Sequence, residues 1–204
     1  MKKIMFSTEY GFQQGVIART KTMTRRVDKK LNHPLVTDIS EWGIDDQGKC
    51  YLTITYSTGL TEDVYPAYQI GEEIAIAQPY KVTAQQNREW LDLQLAANVQ
   101  YIGELMYSGG WENKMFVSAY YCPNRIRIKN IKVERLQDIS DEDCMREGVY
   151  FYNCGIDTGF KVHGIRGTFC SAKRAFSSII DRVNGEGTWE RNPWVPTYTF
   201  ELVR

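Results

Sequence analysis

The stretch RIRIKNIKV, residues 125–133, constrains the fold of this chain more than any other segment. Its apolar side chains fall at Ile126 and Ile128 and then at Ile131 and Val133, so the alternation slips by one residue in between. A regular strand has a side-chain period of two and cannot absorb such a slip. The pattern therefore predicts a β-bulge with strong local bending, which is typical of the coiled strands of small barrels.

Two helices and a closing strand are predicted after this stretch. Residues 140–148 favour a short acidic helix, because Ser140 can cap its N-terminus, acids fill its first turn and Gly148 can end it. Residues 171–184 have the clearest helical pattern of the chain, with one apolar face that includes Val183. Residues 197–203 alternate between apolar and polar side chains and predict the last strand.

Upstream, helix and strand signals alternate. Ser7 is a suitable N-cap for a helix that leads into a basic segment, and residues 35–65 have the turn-bracketed alternation of an antiparallel meander. Ile74 and Ile76 start another strand, and residues 84–97 predict a helix. With no internal repeat or linker, the chain is expected to form one α+β domain over residues 1–204, built around a partly closed β-barrel with flanking helices.

Composition narrows the class of protein. The 204 residues are 43% hydrophobic, enough for a sizeable core, and neither a membrane span nor a signal peptide is recognisable, so we expect a cytoplasmic protein without membrane contact. Five cysteines without a CxxC spacing and two histidines predict neither a disulfide framework nor a metal site, and no cofactor is expected. Lysine plus arginine equals aspartate plus glutamate, so net charge does not identify a partner.

The segment ARTKTMTRRV, residues 18–27, concentrates cations and threonines. Lys21 and Thr24 are three residues apart, which puts them on opposite faces of a regular strand but together if the backbone bends. Together they would form the base and nucleophile that acyl transfer requires, and burial next to Arg25 and Arg26 would lower the lysine pKa. The same segment also fits a solvated turn or a phosphate contact, and the spacing alone does not separate these interpretations.

Four blocks give the chain a resemblance to a known family. They are MFSTEYGFQQGVIARTKTMTRR (5–26), YQIGEEIAIAQPYK (68–81), NRIRIKNIKVERLQDISDEDCMREGV (124–149) and FSSIIDRVNGEGTWERNPWV (176–195). In this order they resemble the ASCH-domain family of the PUA-like superfamily, most closely its longer phage and prophage members. The resemblance implies a PUA-like barrel with insertions at about 31–67 and 82–115.

The resemblance also implies a candidate chemistry. Small bacterial members of the family include an amidohydrolase that removes the acetyl group from the exocyclic amine of acetylated cytidine. Matched by motif, its lysine, threonine and glutamate fall on Lys21, Thr24 and Glu147, with Thr24 attacking the acyl carbon, Lys21 activating it and Glu147 managing protons. Glu147 also fits an exposed acid at a helix end. The chain departs from the family at Arg19, where a glycine is common, and at residues 77–80, where many members have an acid and a tryptophan.

The expectation from the sequence is therefore a protein that binds RNA or a modified nucleoside, with hydrolysis of N-acylated cytidine as the alternative. For RNA, the candidate phosphate contacts are Arg19, Arg25, Arg26, Arg125 and Arg127, and the candidate stacking residues are Tyr80, Trp111 and Tyr121. The arginines fit a solvated rim equally well, and the aromatic residues fit a core. A third class, a phage accessory protein that binds a host protein, would present a large exposed apolar patch.

Overall fold

A computed structural model of the chain describes residues 1–40, 42–86, 89, 92 and 104–203. It is a mixed α+β structure, as predicted, with eleven strands in this part of the chain. The strands are β1 (Lys3–Ile4), β2 (Met23–Arg25), β3 (Val36–Ile39), β4 (Gly43–Ile44), β5 (Cys50–Tyr56), β6 (Thr61–Val64), β7 (Glu73–Ile76), β8 (Arg125–Arg135), β9 (Val149–Cys154), β10 (Asp157–Val162) and β11 (Trp194–Val203). The helices are α1 (Phe12–Ile17), α2 (Tyr80–Gln86), α3 (Asp141–Arg146), α4 (Ala172–Asn184) and α5 (Thr188–Arg191).

The central sheet has five strands in the order β1-β7-β8-β11-β2. Strands β8 and β11 form the long antiparallel pair at its centre, β7 and β2 extend it antiparallel on either side, and β1 runs parallel to β7. The order is linear, and no closed barrel is found among the strands described. The sheet places β2, which belongs to the basic segment, next to the closing strand β11.

The bulge predicted in β8 is confirmed. Asn130 pairs with Thr199 and Ile128 pairs with Phe200, so Lys129 is the extra residue. The insertion returns Ile131 to the same core cluster as Ile126 and Ile128. The local slip in the apolar pattern therefore reports the register of the longest strand pair.

The meander predicted within residues 35–65 is also confirmed: β3, β4 and β6 each pair antiparallel with β5. The helix predicted over residues 84–97 lies mostly outside the described residues; α2 covers its start. The hairpin of β9 and β10, residues 149–162, has no counterpart among the predictions. No helix of the described ranges combines the length and the apolar character that crossing a bilayer needs.

The helices that flank the sheet begin and end close to the predicted residues. The Ser140 hydroxyl accepts a hydrogen bond from the Asp143 amide at the start of α3, and Ser171 does the same for Arg174 at the start of α4. The inner face of α4 carries Phe176, Ile179 and Ile180, which pack against α3 and β9 in a second core cluster. Val183, predicted on that face, is 50% exposed at the end of the helix.

Candidate active site

A tight turn joins α1 to β2 and places the basic segment. The helix begins at Phe12 rather than near Ser7, because Gly11 adopts a left-handed φ of 64° as its N-cap. At the other end the amides of Thr20 and Lys21 both donate to the carbonyl of Gly15, at 2.9 and 3.0 Å. The backbone therefore bends directly before β2, which is the condition under which Lys21 and Thr24 can serve one site.

The same turn is fixed to the end of α3. The Thr22 amide donates to the Arg146 carbonyl at 3.0 Å, and Glu147 is the C-cap residue of that helix. Gly148 follows with a φ of 107°, a conformation that favours glycine and ends the helix. The cationic and acidic segments, far apart in sequence, are thus joined through the backbone.

Lys21 and Glu147 form a buried ion pair. The Lys21 amine donates to Glu147 Oε2 at 2.6 Å and to the Glu147 carbonyl at 2.6 Å. The two side chains are 2% and 5% exposed, so the interpretation of Glu147 as an exposed helix-end acid is wrong. Burial lowers the pKa of the Lys21 amine, Glu147 partly opposes that shift, and the charges of Arg26 and Arg25 lower it further.

The pair belongs to a larger network of alternating charges. Arg25 contacts Glu147 at 3.1 Å, Asp143 at 3.0 Å and Glu134 at 2.5 Å. Lys132 contacts both Asp143 and Glu134 at 3.0 Å. Burial alone would lower the pKa of Arg25, but Glu147 and Glu134 raise it. Because each buried carboxylate has a cationic partner, the desolvation of these charges is offset by pairing.

This network predicts a pH dependence of stability. Burial alone would raise the pKa of Asp143, but hydrogen bonds from Lys132 and Arg25 lower it below 3.8. A carboxylate with a lowered folded-state pKa stabilises the fold above its unfolded pKa, and this contribution is lost as the pH falls through the folded value. Denaturant unfolding of Asp143→Asn should therefore lose less stability below pH 3.8 than the wild type does. The control is Asp141→Asn, which removes an exposed carboxylate of the same helix and leaves the ion pairs of Asp143 in place, so the acid-dependent loss should remain.

One cavity brings the three candidate residues together. It has a volume of about 90 Å³, and Lys21, Thr24 and Glu147 all contribute to its lining. Thr24 lies on β2 opposite Tyr198, and its hydroxyl makes no hydrogen bond to another described residue. Helix α4 contributes apolar side chains to the same lining. A buried amine–carboxylate pair and an uncommitted hydroxyl in one cavity can transfer a proton and attack an electrophilic carbon.

Arg26 also lines this cavity. Its guanidinium donates to the Met5 carbonyl at 2.9 Å and lies 5.7 Å from the centre of the Phe6 ring. Its Nε is buried and has no hydrogen-bond partner in the described part of the chain. A buried donor without a partner is costly unless a ligand completes it, so Arg26 offers a cationic N–H to an oxygen bound in the cavity.

The residues predicted to contact RNA do not form one surface. Arg25 has a side chain that is 1% exposed and is paired with three carboxylates, so its assignment as a phosphate contact is wrong. Arg127 pairs with Glu73 and Glu201, and Arg125 lies with it on β8, beside β7 rather than β2. Of the five arginines, Arg19 is exposed where α1 ends and Arg26 lines the cavity.

Tyr80 is a core residue rather than a stacking platform. It is 3% exposed and packs with Trp111 and Tyr121 in a separate apolar cluster. Its hydroxyl accepts a hydrogen bond from the Ser118 amide at 2.6 Å. The core interpretation is therefore correct for Tyr80, whereas Trp111 and Tyr121 are partly buried and pack against this cluster.

A second, more open hollow of about 380 Å³ lies between α1 and the base of the β9–β10 hairpin. Tyr10, Tyr150 and His163 line it, and Phe12 and Lys21 separate it from the first cavity. No spacing in the sequence indicated this hollow, because residues 149–170 carry no periodic pattern. The contribution of α4 to the cavity was not predicted either. An apolar helix face has the same sequence pattern whether it packs against the core or lines a cavity.

Neither a metal-binding arrangement nor a match to a known protein adds to the description of this site. In the described ranges, no group of three or more His, Cys, Asp or Glu side chains is arranged to hold a metal ion. The carboxylates near the cavity are instead paired with Lys and Arg. No protein-family model, curated protein or solved structure matches the chain.

Proposed function

We propose that this protein is an amidohydrolase that removes a small acyl group from the exocyclic amine of a modified nucleoside of the N-acylcytidine type. The observation that carries the proposal is the convergence of the Lys21 amine, the Glu147 carboxylate and the Thr24 hydroxyl on one cavity. The nucleoside portion of the substrate rests on the resemblance to ASCH domains. That resemblance places the same three residue types in the same roles.

The proposal also includes the fold family of the domain. The bulged β8, the central five-stranded sheet and the helices packed beside it support a PUA-like, partly closed barrel as the architecture of this domain. In such a fold the turn before β2 and the end of α3 frame a cleft at one side of the sheet. This is where Lys21 and Glu147 meet.

The first half of the reaction transfers the acyl group to Thr24. Lys21 in its neutral form takes the hydroxyl proton as the Thr24 oxygen attacks the acyl carbon, and the Glu147 carboxylate, 2.6 Å from the amine, stabilises the ammonium that forms. The developing oxyanion accepts a hydrogen bond from Arg26 Nε. The carbon–nitrogen bond then breaks, and Lys21 returns its proton to the leaving amine.

The second half regenerates the enzyme. A water molecule gives a proton to the Lys21–Glu147 pair as its oxygen attacks the Thr24 ester. The ester bond breaks, the Thr24 oxygen regains a proton from the pair, and the acyl group leaves as a carboxylic acid. Atoms and protons balance without a metal ion or a redox cofactor. The proton transfer from Thr24 requires its hydroxyl and the Lys21 amine, which line the same cavity, to come within hydrogen-bond distance once the substrate is bound.

Binding of RNA has less support than binding of a nucleoside. Arg25 and Arg127 are committed to carboxylates, and Tyr80 is in the core. Arg19 and Arg26 remain as cations on the basic segment, enough for a single phosphate at the edge of a nucleotide site. An RNA strand needs a longer cationic track.

The test is release of cytidine from N4-acetylcytidine by the wild-type protein, followed by chromatography across pH 6 to 10. Turnover is expected, and kcat/KM should rise with pH to a midpoint below 10.5, because Lys21 must lose a proton and its pKa is lowered from that value. Absence of turnover at every pH would remove the hydrolase. Binding of RNA with a steep salt dependence would then favour a binding module.

A further inference from the structure

We infer that the cavity receives the acyl group of the substrate and that α4 sets the length of the acyl chain that fits, while the nucleobase stays at the mouth. This inference rests on the proposed function and adds the orientation and acyl class of the substrate. It assigns a specificity role to a helix that contributes none of the candidate reacting groups.

The volume of the cavity determines which end of the substrate enters it. The cavity measures about 90 Å³, whereas an engineered protein cavity that binds benzene measures about 150 Å³. A pyrimidine ring is close to benzene in size and is therefore too large for this space. A short aliphatic acyl chain, of about two to four carbons on the same scale, fits, so the acyl end enters first.

The chemistry of the walls agrees with this orientation. Ile179, Ile180 and Phe176 of α4 line the same cavity as the reacting groups of the basic segment and Glu147. An apolar wall lowers the free energy of a bound alkyl chain by removing it from water. It offers no hydrogen bond to the polar edge of a nucleobase, which would be desolvated there without a partner.

The mouth of the cavity has more exposed side chains than its apolar wall. Val183 lines the cavity and is 50% exposed, and Met5 lines it from the other side and is 40% exposed. Asn184 adds an amide at the same end of α4. The two exposed apolar side chains can contact the face of a nucleobase, and the amide can form a hydrogen bond with its edge, while the base remains partly in solvent. Because the base is not enclosed, nucleosides and larger nucleotides should be accepted alike.

The test compares N4-acyl cytidines with acetyl, propionyl, butyryl, hexanoyl and benzoyl groups. Ile180→Val deepens the cavity by one methyl group and should shift kcat/KM toward the next longer chain by about 10-fold, the usual effect of one methylene in an apolar pocket. Val183→Phe narrows the mouth and should shift preference toward acetyl. Ile139→Val is the matched control, because Ile139 is buried in the same core cluster but does not line the cavity; its chain-length profile should equal the wild type's.

A binding measurement separates this inference from the proposed function. Butyramide and benzamide are titrated into wild-type protein while the methyl resonances of Ile179 and Ile180 are followed; butyramide should shift them and benzamide should not. Turnover with an unchanged chain-length profile in both α4 variants would overturn the acyl pocket and leave the hydrolase standing. Butyramide binding without turnover of any N-acyl cytidine would overturn the hydrolase and leave the pocket. Benzamide binding inside the cavity would contradict the size argument directly.

Discussion

Replacing Thr24 with valine is expected to abolish deacylation, lowering kcat/KM by at least about 10³-fold, the scale of loss when a nucleophile is removed from a catalytic unit. The substitution keeps the branched shape and removes only the hydroxyl. No hydrogen bond of that hydroxyl to another described residue is found, so its loss leaves no protein partner unpaired. Unfolding in urea should change by less than about 1 kcal/mol. Activity and stability are therefore expected to separate at this position.

The matched control is Thr22→Val, in the same KTMT segment. Thr22 is half-buried, does not line the cavity, and has a hydroxyl that accepts only a long contact of 3.4 Å from Arg146. Its turnover should stay near the wild-type value. Mass spectrometry of the wild type after rapid quenching should also find the acyl group on the peptide that contains Thr24. If Thr24→Val keeps wild-type turnover, attack by a water molecule activated by Glu147 replaces the ester mechanism.

Those elements of the fold that depend on neighbouring residues were predictable from the sequence. The bulge in β8 follows from the positions of Ile126, Ile128 and Ile131, because side-chain parity is a local property. The caps Ser140 and Ser171 mark the starts of α3 and α4 for the same reason. The order of strands in the sheet is set by contacts between distant segments, and no local pattern contains that information.

The candidate site was predictable to a smaller extent. The three-residue spacing of Lys21 and Thr24 required a bend, and the turn on the Gly15 carbonyl provides it. Their association with Glu147 came from the family resemblance rather than from the spacing. Arg25 was misassigned because β2 is buried on both faces, and a three-residue strand shows no alternation that separates inward from outward side chains. The cationic character that suggested a phosphate contact serves an internal ion network instead.

Removing the Glu147 carboxylate is expected to cost more stability than removing its lysine partner. Glu147 contacts two cations, Lys21 at 2.6 Å and Arg25 at 3.1 Å, whereas Lys21 contacts one carboxylate. Glu147→Gln therefore leaves a buried amine without an acidic partner and should lower the free energy of unfolding by about 3–5 kcal/mol. Lys21→Met leaves Glu147 paired with Arg25 and should cost clearly less. Urea titrations at pH 7 measure both.

The double variant tests whether the pair is kept for stability or for chemistry. Glu147→Gln leaves the buried Lys21 amine without an acidic partner, and Lys21→Met removes that amine. The double variant should therefore be more stable than Glu147→Gln alone, with a coupling free energy between the two positions of about 1–3 kcal/mol. The exposed pair Lys81–Glu112, at 2.9 Å, is the control and should show a coupling below about 1 kcal/mol. Additive losses at Lys21 and Glu147 would contradict the ion pair. A double variant that is as stable as the wild type but inactive would mean that the buried charges contribute little to folding, which leaves proton transfer next to Thr24 as the reason the chain keeps them.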